Sequence, residues 1–176
     1  MKKSLSFIDK NKFFFVTLLL SVVSGYLRYG SDEGLNDLRL SQFLPEYSLG
    51  YCSRFLIGSV LAVFKKSFTA GWLTVFSECV FVFTCFLTAV LFNELIKRTD
   101  EKYRNGIAVA GLFIISMTMG YGYFTYWLGM LDIFWYIFTL LALLCLCNKY
   151  LMWLFPLFSF LCLANHYMAA LFVFPV

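Results

Sequence analysis

The chain has 176 residues, of which 61% are hydrophobic, 21% aromatic and only 14% charged, with a net charge of +4. A soluble domain carries about 45–50% apolar and about 25% charged residues, so this composition excludes a water-soluble globule and implies an integral membrane protein. No basic face of a size suited to nucleic acid remains outside a bilayer, so a nucleic-acid partner is excluded as well.

The N-terminus "MKKSLSFIDKNK" leads into "FFFVTLLLSVVSGYL". This has the form of a signal sequence, with a conceivable cleavage site after Ser24. The apolar run continues to about Leu27 and more apolar segments follow, which points to an uncleaved anchor and a first span over 13–29. A loop of about twenty residues follows, Arg28–Gly50, bearing Asp32, Glu33, Asp37 and Glu46 against Arg28 and Arg39. The run over 51–64 carries Arg54 near its start and ends on Lys65 and Lys66. It is too short to cross a bilayer, which takes roughly 20 apolar residues.

Further spans are predicted over 70–96, 106–124, 128–147 and 150–166, with Pro156 expected to kink the last of them. From Tyr167 onward only ten residues remain, about half of a sixth crossing. The expected fold is therefore all-α: one transmembrane domain over 1–176, a polytopic helix bundle of about five full spans with an outer interfacial helix and an incomplete sixth span. Such a chain is expected to be the N-terminal portion of a longer protein, with little or no activity if it truly stops at 176.

Basic residues set the orientation. Lys2, Lys3, Lys10 and Lys12 precede the first span, Lys97, Arg98, Lys102 and Arg104 lie between the second and third, and Lys149 lies between the fourth and fifth. The positive-inside rule places all of them in the cytoplasm. An even number of crossings must then separate the first two clusters, and the first span plus 70–96 already supply two. The segment 51–64 is thus expected to lie along the outer headgroup layer.

With that topology, ionisable residues from four segments share the outer face: Asp32 and Glu33, Arg54, Asp132 in "YWLGMLDIFWY", and His166 in "LANHYMAALF". A carboxylate in a membrane helix usually faces a partner or a water-filled cavity. Trp135, Tyr136 and Thr139 share the face of Asp132 at helical spacing and form a stripe expected to point inward. Glu78 lies at outer-leaflet depth, positioned to serve the same cavity or to bond Thr74. Glu94, beside Lys97 and Arg98, reads as an interfacial charge. The six cysteines all lie in apolar runs, and Cys145 and Cys147 are about 200° apart on a helix, so they read as packing residues. "MGYGYFTYW" reads as an interfacial aromatic belt, although sugar stacking would use the same residues.

A cytoplasmic N-terminus, an acidic first outer loop ("YGSDEGLND"), a Gly50–Arg54–Gly58 core in "GYCSRFLIG", the aspartate of "LGMLDIFWY" and the histidine of "NHYMAALFVFP" together resemble bacterial multispanning proteins related to the GT-C superfamily of glycosyltransferases. Those enzymes take a sugar from a polyprenyl-phosphate donor on the extracytoplasmic side of the bacterial cytoplasmic membrane. The motifs are short and loose. In those relatives the histidine is commonly followed by glutamate, where this chain has Tyr167.

The resemblance implies a catalytic acid at Asp32, with Glu33 second, acting as general base on the acceptor or holding a divalent metal on the donor phosphate. It implies Arg54 as a cation for that phosphate, and Asp132 and His166 as groups that orient the sugar or the acceptor. The implied partners are the lipid bilayer and a lipid-linked sugar donor. Two other readings remain: an O-antigen-type polysaccharide polymerase, and a non-enzymatic scaffold or transporter component.

Overall fold

The structure, a computed structural model, describes residues 10–29, 55–63, 69–117 and 132–165. The described residues are helical, with no strand among them: α1 (Lys12–Tyr29), α2 (Phe55–Val63), α3 (Ala70–Arg98), α4 (Glu101–Met117), α5 (Asp132–Leu146), a 3-10 turn (Met152–Leu154) and α6 (Phe155–Asn165). The all-α expectation holds for these segments. A helix closes its backbone hydrogen bonds within itself, which suits chains this poor in polar side chains.

The 29 residues of α3 reach about 43 Å. Thr69 caps its start, the hydroxyl accepting the Trp72 N–H at 3.2 Å, and Lys97 and Arg98 in its last turn complement the negative end of the helix dipole. Among the described residues its stretch Gly71–Arg98 is the one helix long and apolar enough to cross a membrane. The apolar helices Lys12–Ser24, Ile133–Leu146 and Met152–Asn165 fall short of that length within the described residues.

Two joints differ from expectation. The polar stretch after Ile96 is mostly helical, and the chain breaks only at Thr99 and Asp100 before α4 starts at Glu101. The Asp100 carbonyl accepts the N–H groups of Tyr103 and Arg104, each at 3.0 Å. Arg104 Nη2 donates to the Thr99 carbonyl at 3.2 Å. These bonds satisfy backbone groups that helix ends leave open, so the helix begins five residues ahead of the expected 106.

The kink expected at Pro156 does not form, because Pro156 is the second residue of α6. In a first helical turn its missing N–H has no partner to lose. The chain reverses just upstream instead. Asn148 Oδ1 accepts the Tyr150 N–H at 3.0 Å, the self-bonding turn that asparagine favours.

Packing divides the chain into two compact units, Met1–Ser31 with Cys85–Tyr126 and Asp32–Thr84 with Trp127–Val176. In the first, α1 packs on α4 and runs antiparallel to the C-terminal half of α3. Phe14 meets Phe86 edge-on at 5.7 Å, and Asn93 Nδ2 donates to Asn11 Oδ1 at 3.2 Å. This register puts Lys10 and Lys12 at the same end as Lys97, Arg98, Lys102 and Arg104. The buried positions include the small residues Thr17, Ser21, Cys85, Ala89 and Ala108 beside Leu87, Leu91, Asn93 and Ile96. The small side chains among them let helices approach closely.

In the second unit, Ile57 and Leu61 of α2 and Leu73 of α3 form a core flanked by Phe76, Phe134 and Phe138. The helices α5 and α6 form a tightly packed antiparallel hairpin.

Candidate functional site

Of the candidate residues, Asp32, Glu33, Arg54 and His166 lie outside the described residues, and Asp132 is described by its backbone as the first residue of α5. All five fall within the ranges of the second unit. The described helices of that unit supply the framework on which these positions are strung.

That framework has two parts. The first is an aromatic stack: Trp72 lies flat on Phe76 at 5.2 Å and 8°, and Phe76 faces Phe134 at 6.3 Å and 24°. Offset ring pairs of this kind contribute about 0.5–1.5 kcal/mol beyond the area they bury. They hold the first turns of α3 level with the first turn of α5. Against the same rings lie Ile57 and Leu61 of α2, the helix that begins one residue after Arg54 in the chain.

The second part is the register of the hairpin. Cys162 Sγ donates to the Trp135 carbonyl at 3.3 Å and lies 3.2 Å from Thr139 Oγ1, so Cys162 is level with the turn between Trp135 and Thr139. Stepping back to Asp132 on α5 is matched by stepping forward to the end of α6 at Asn165. Asp132 and Asn165 therefore mark the same end of the hairpin, opposite the Asn148 turn. One end of the unit thus gathers the start of α3, the start of α5 and the end of α6.

The stripe that accompanies Asp132 is only partly what its spacing implies. Trp135, Tyr136 and Thr139 are each half-buried, and Trp135 meets Tyr136 edge-on at 6.1 Å. The hydroxyl of Thr139 is taken up by the Trp135 carbonyl at 2.8 Å and by Cys162, so this residue joins α5 to α6 rather than lining a cavity. Asn165, wholly buried at the Asp132 end, escaped the sequence reading. Its signal was an amide closing an apolar helix next to His166, and a buried amide is nearly always hydrogen-bonded.

The two remaining acids behave differently from each other. Glu94 pairs with Lys97 at 3.0 Å, both side chains well exposed, a surface ion pair worth a few tenths of a kcal/mol. Glu78 is exposed on α3 and bonds no Thr74 hydroxyl. Among the described residues no three of His, Cys, Asp and Glu come together as a metal site. The divalent metal implied for the donor phosphate rests on Asp32 and Glu33, outside the described residues. No family model matches the chain, and no curated protein or solved structure matches it.

Proposed function

We propose that the chain is a polytopic protein of the bacterial cytoplasmic membrane, with about five spans and a cytoplasmic N-terminus, that handles a polyprenyl-phosphate-linked sugar at its outer face as GT-C glycosyltransferases do. The observation that carries this reading is the gathering, at one end of the second unit, of Asp132, the buried Asn165 that precedes His166, and the aromatic stack against which α2 packs. A second observation supports the topology: α1 and α3 are antiparallel, with their lysine-bearing ends together, as two crossings with one cytoplasmic end require.

In this reading the acceptor hydroxyl oxygen attacks the anomeric carbon of the donor. The bond from that carbon to the phosphate oxygen breaks, and the acceptor proton passes to Asp32, with Glu33 as the alternative base. A positioned base of this kind contributes about 10²–10⁴-fold. The negative charge left on the departing lipid phosphate is met by Arg54 from the headgroup layer. Asp132 and His166 orient the sugar.

The test uses single cysteines at positions 32, 54, 132 and 166 in a cysteine-free background. A membrane-impermeant thiol reagent added from outside should label all four, and short bifunctional linkers should join position 132 to position 32 or 54. Labelling of position 132 only from the cytoplasm would reverse the topology and remove the basis for transfer at the outer face. With accessibility established, Asp32→Asn should lower sugar transfer from a lipid-linked donor at least 100-fold, and unchanged transfer would exclude Asp32 as the base.

A further inference from the structure

The reversal between α5 and α6 is not composed like a turn that faces water. Residues 148–153 are all exposed, yet after Asn148 and Lys149 come Tyr150, Leu151, Met152 and Trp153, where a solvated turn favours glycine, asparagine, aspartate and serine. Tyr150 and Trp153 are each 74% exposed. The apolar surface continues along both arms of the hairpin through Leu146 and Leu157, which are exposed as well.

The turn also closes much of its own backbone. The N–H groups of Cys147 and Asn148 reach the Leu143 and Cys145 carbonyls, each at 3.1 Å. Those of Leu151 and Leu154 reach the Asn148 and Leu151 carbonyls, each at 2.9 Å. Asn148 Oδ1 takes the Tyr150 N–H, and the Met152 carbonyl takes that of Phe155. Backbone groups satisfied in this way suit a layer poor in water. The turn carries one charge. Lys149 is the only lysine, arginine, aspartate or glutamate after Asp132, and its Nζ stands over the Tyr150 ring, 5.0 Å from the centre.

We propose that the turn over 148–154 is an anchor in the lipid headgroup layer, where Lys149 selects anionic lipid. The proposal rests on the membrane reading above. Tyrosine and tryptophan each join an apolar body to a polar tip, the chemistry of that layer. Leu151 and Met152 give the upper acyl chains an apolar surface. The ammonium of Lys149 meets lipid phosphate, and no acid in the rest of the hairpin offsets its charge. One lysine near an anionic surface is worth about fivefold in affinity.

Trp153 serves as the reporter. The full chain is reconstituted in phosphatidylcholine vesicles with Trp72, Trp127 and Trp135 replaced by phenylalanine. A nitroxide on the lipid headgroup should quench its fluorescence more than one deep in the acyl chain, and aqueous acrylamide should quench it weakly. Because Trp72 and Trp135 meet other rings, the parent chain is also compared with Trp153→Phe, a change at an exposed position. The fluorescence that the headgroup nitroxide removes should be smaller in that variant.

Quenching by brominated phosphatidylglycerol against brominated phosphatidylcholine then gives the relative affinity at the turn. The anionic lipid should be preferred about fivefold, and Lys149→Gln should bring the two to parity. Strong acrylamide quenching would put the turn in water, and quenching by neither agent would mean that protein covers it. A stronger effect of the deep nitroxide would sink it into the acyl core, and equal affinity for the two lipids would remove the role of Lys149. Each of these outcomes overturns the proposal. Alkaline carbonate extraction of native membranes separates the two readings. If the chain is extracted, the membrane reading fails; if it stays in the bilayer with its turn in water, the anchor alone fails.

Discussion

The two units differ in the closest contacts that hold their helices together, a glycine under a ring in one and a stack of rings in the other. Around α1, α4 and the C-terminal half of α3 the buried positions mix small residues (Thr17, Ser21, Cys85, Thr88, Ala89 and Ala108) with Leu87, Leu91, Asn93 and Ile96, and Gly111 of α4 lies directly under the ring of Phe92. Around α2, the start of α5 and the N-terminal half of α3 the contacts are large: isoleucine, leucine and stacked aromatic rings, while the α5–α6 hairpin buries Ala142, Cys145, Ser159, Cys162 and Ala164. Small-residue packing brings backbones close and tolerates little added volume. Ring packing spaces helices apart and stabilises through area. The candidate residues all fall within the ranges of the ring-packed unit.

The strongest way to break this contrast is to add volume to the close-packed unit. A Cβ at Gly111 would come within 2.8 Å of Phe92 Cζ, so alanine needs only the end of that ring to turn aside, whereas the larger side chain of Gly111→Leu should destabilise by about 2 kcal/mol. Thermal unfolding in detergent should show the loss. Phe92→Ala in the same chain should return part of it, and a Gly111→Leu protein as stable as the parent would refute the close approach.

The ring-packed unit should respond instead to lost volume. Phe134→Ala removes one ring of the stack and one flank of the Ile57–Leu61–Leu73 core. A fully buried Phe→Ala costs about 3–5 kcal/mol, and Phe134 is only half-buried, so about 2 kcal/mol is expected. Phe134→Leu should restore roughly half. If Gly111→Leu proved mild and Phe134→Ala severe, the contrast between the two packing modes would fail.

Much of the helical framework was legible in the chain because apolar run length and lysine placement carry it. The first helix begins within a residue of its expected start, and α3 extends the expected 70–96 by Lys97 and Arg98. What could not be read was set by local capping. The Thr99–Asp100 break depends on which carbonyls Tyr103, Arg104 and the Arg104 guanidinium reach, and Pro156 falls in a first turn because the Asn148 reversal sits where it does. Spacing put Thr139 on the face of Asp132, but only the hairpin register shows its hydroxyl committed to Cys162. Of the candidate site, the described residues show only that Asp132 opens α5 at the end of the hairpin where α6 closes on Asn165. The pairwise geometry of Asp32, Arg54 and His166 depends on backbone paths that run length and periodicity do not encode.

The smallest expected effect sharpens the contrast at the lysine-bearing end. Asn93 is buried, 6% exposed, and its amide reaches Asn11 Oδ1 at 3.2 Å across 82 residues of chain. Interhelical hydrogen bonds in membrane proteins average about 0.6 kcal/mol in double-mutant cycles. Asn93→Ala should cost more than that, since it also removes buried volume, whereas Asn11→Ala, at a half-exposed position, should cost little. The coupling in the double variant should be about 0.6 kcal/mol, read as a detergent unfolding difference on the four proteins of the cycle. The pair spans the join between the start of α1 and the end of α3, so this coupling reports directly on their antiparallel register. A coupling near zero would mean that close packing by small residues, without help from polar pairs, sets how α1 lies on α3.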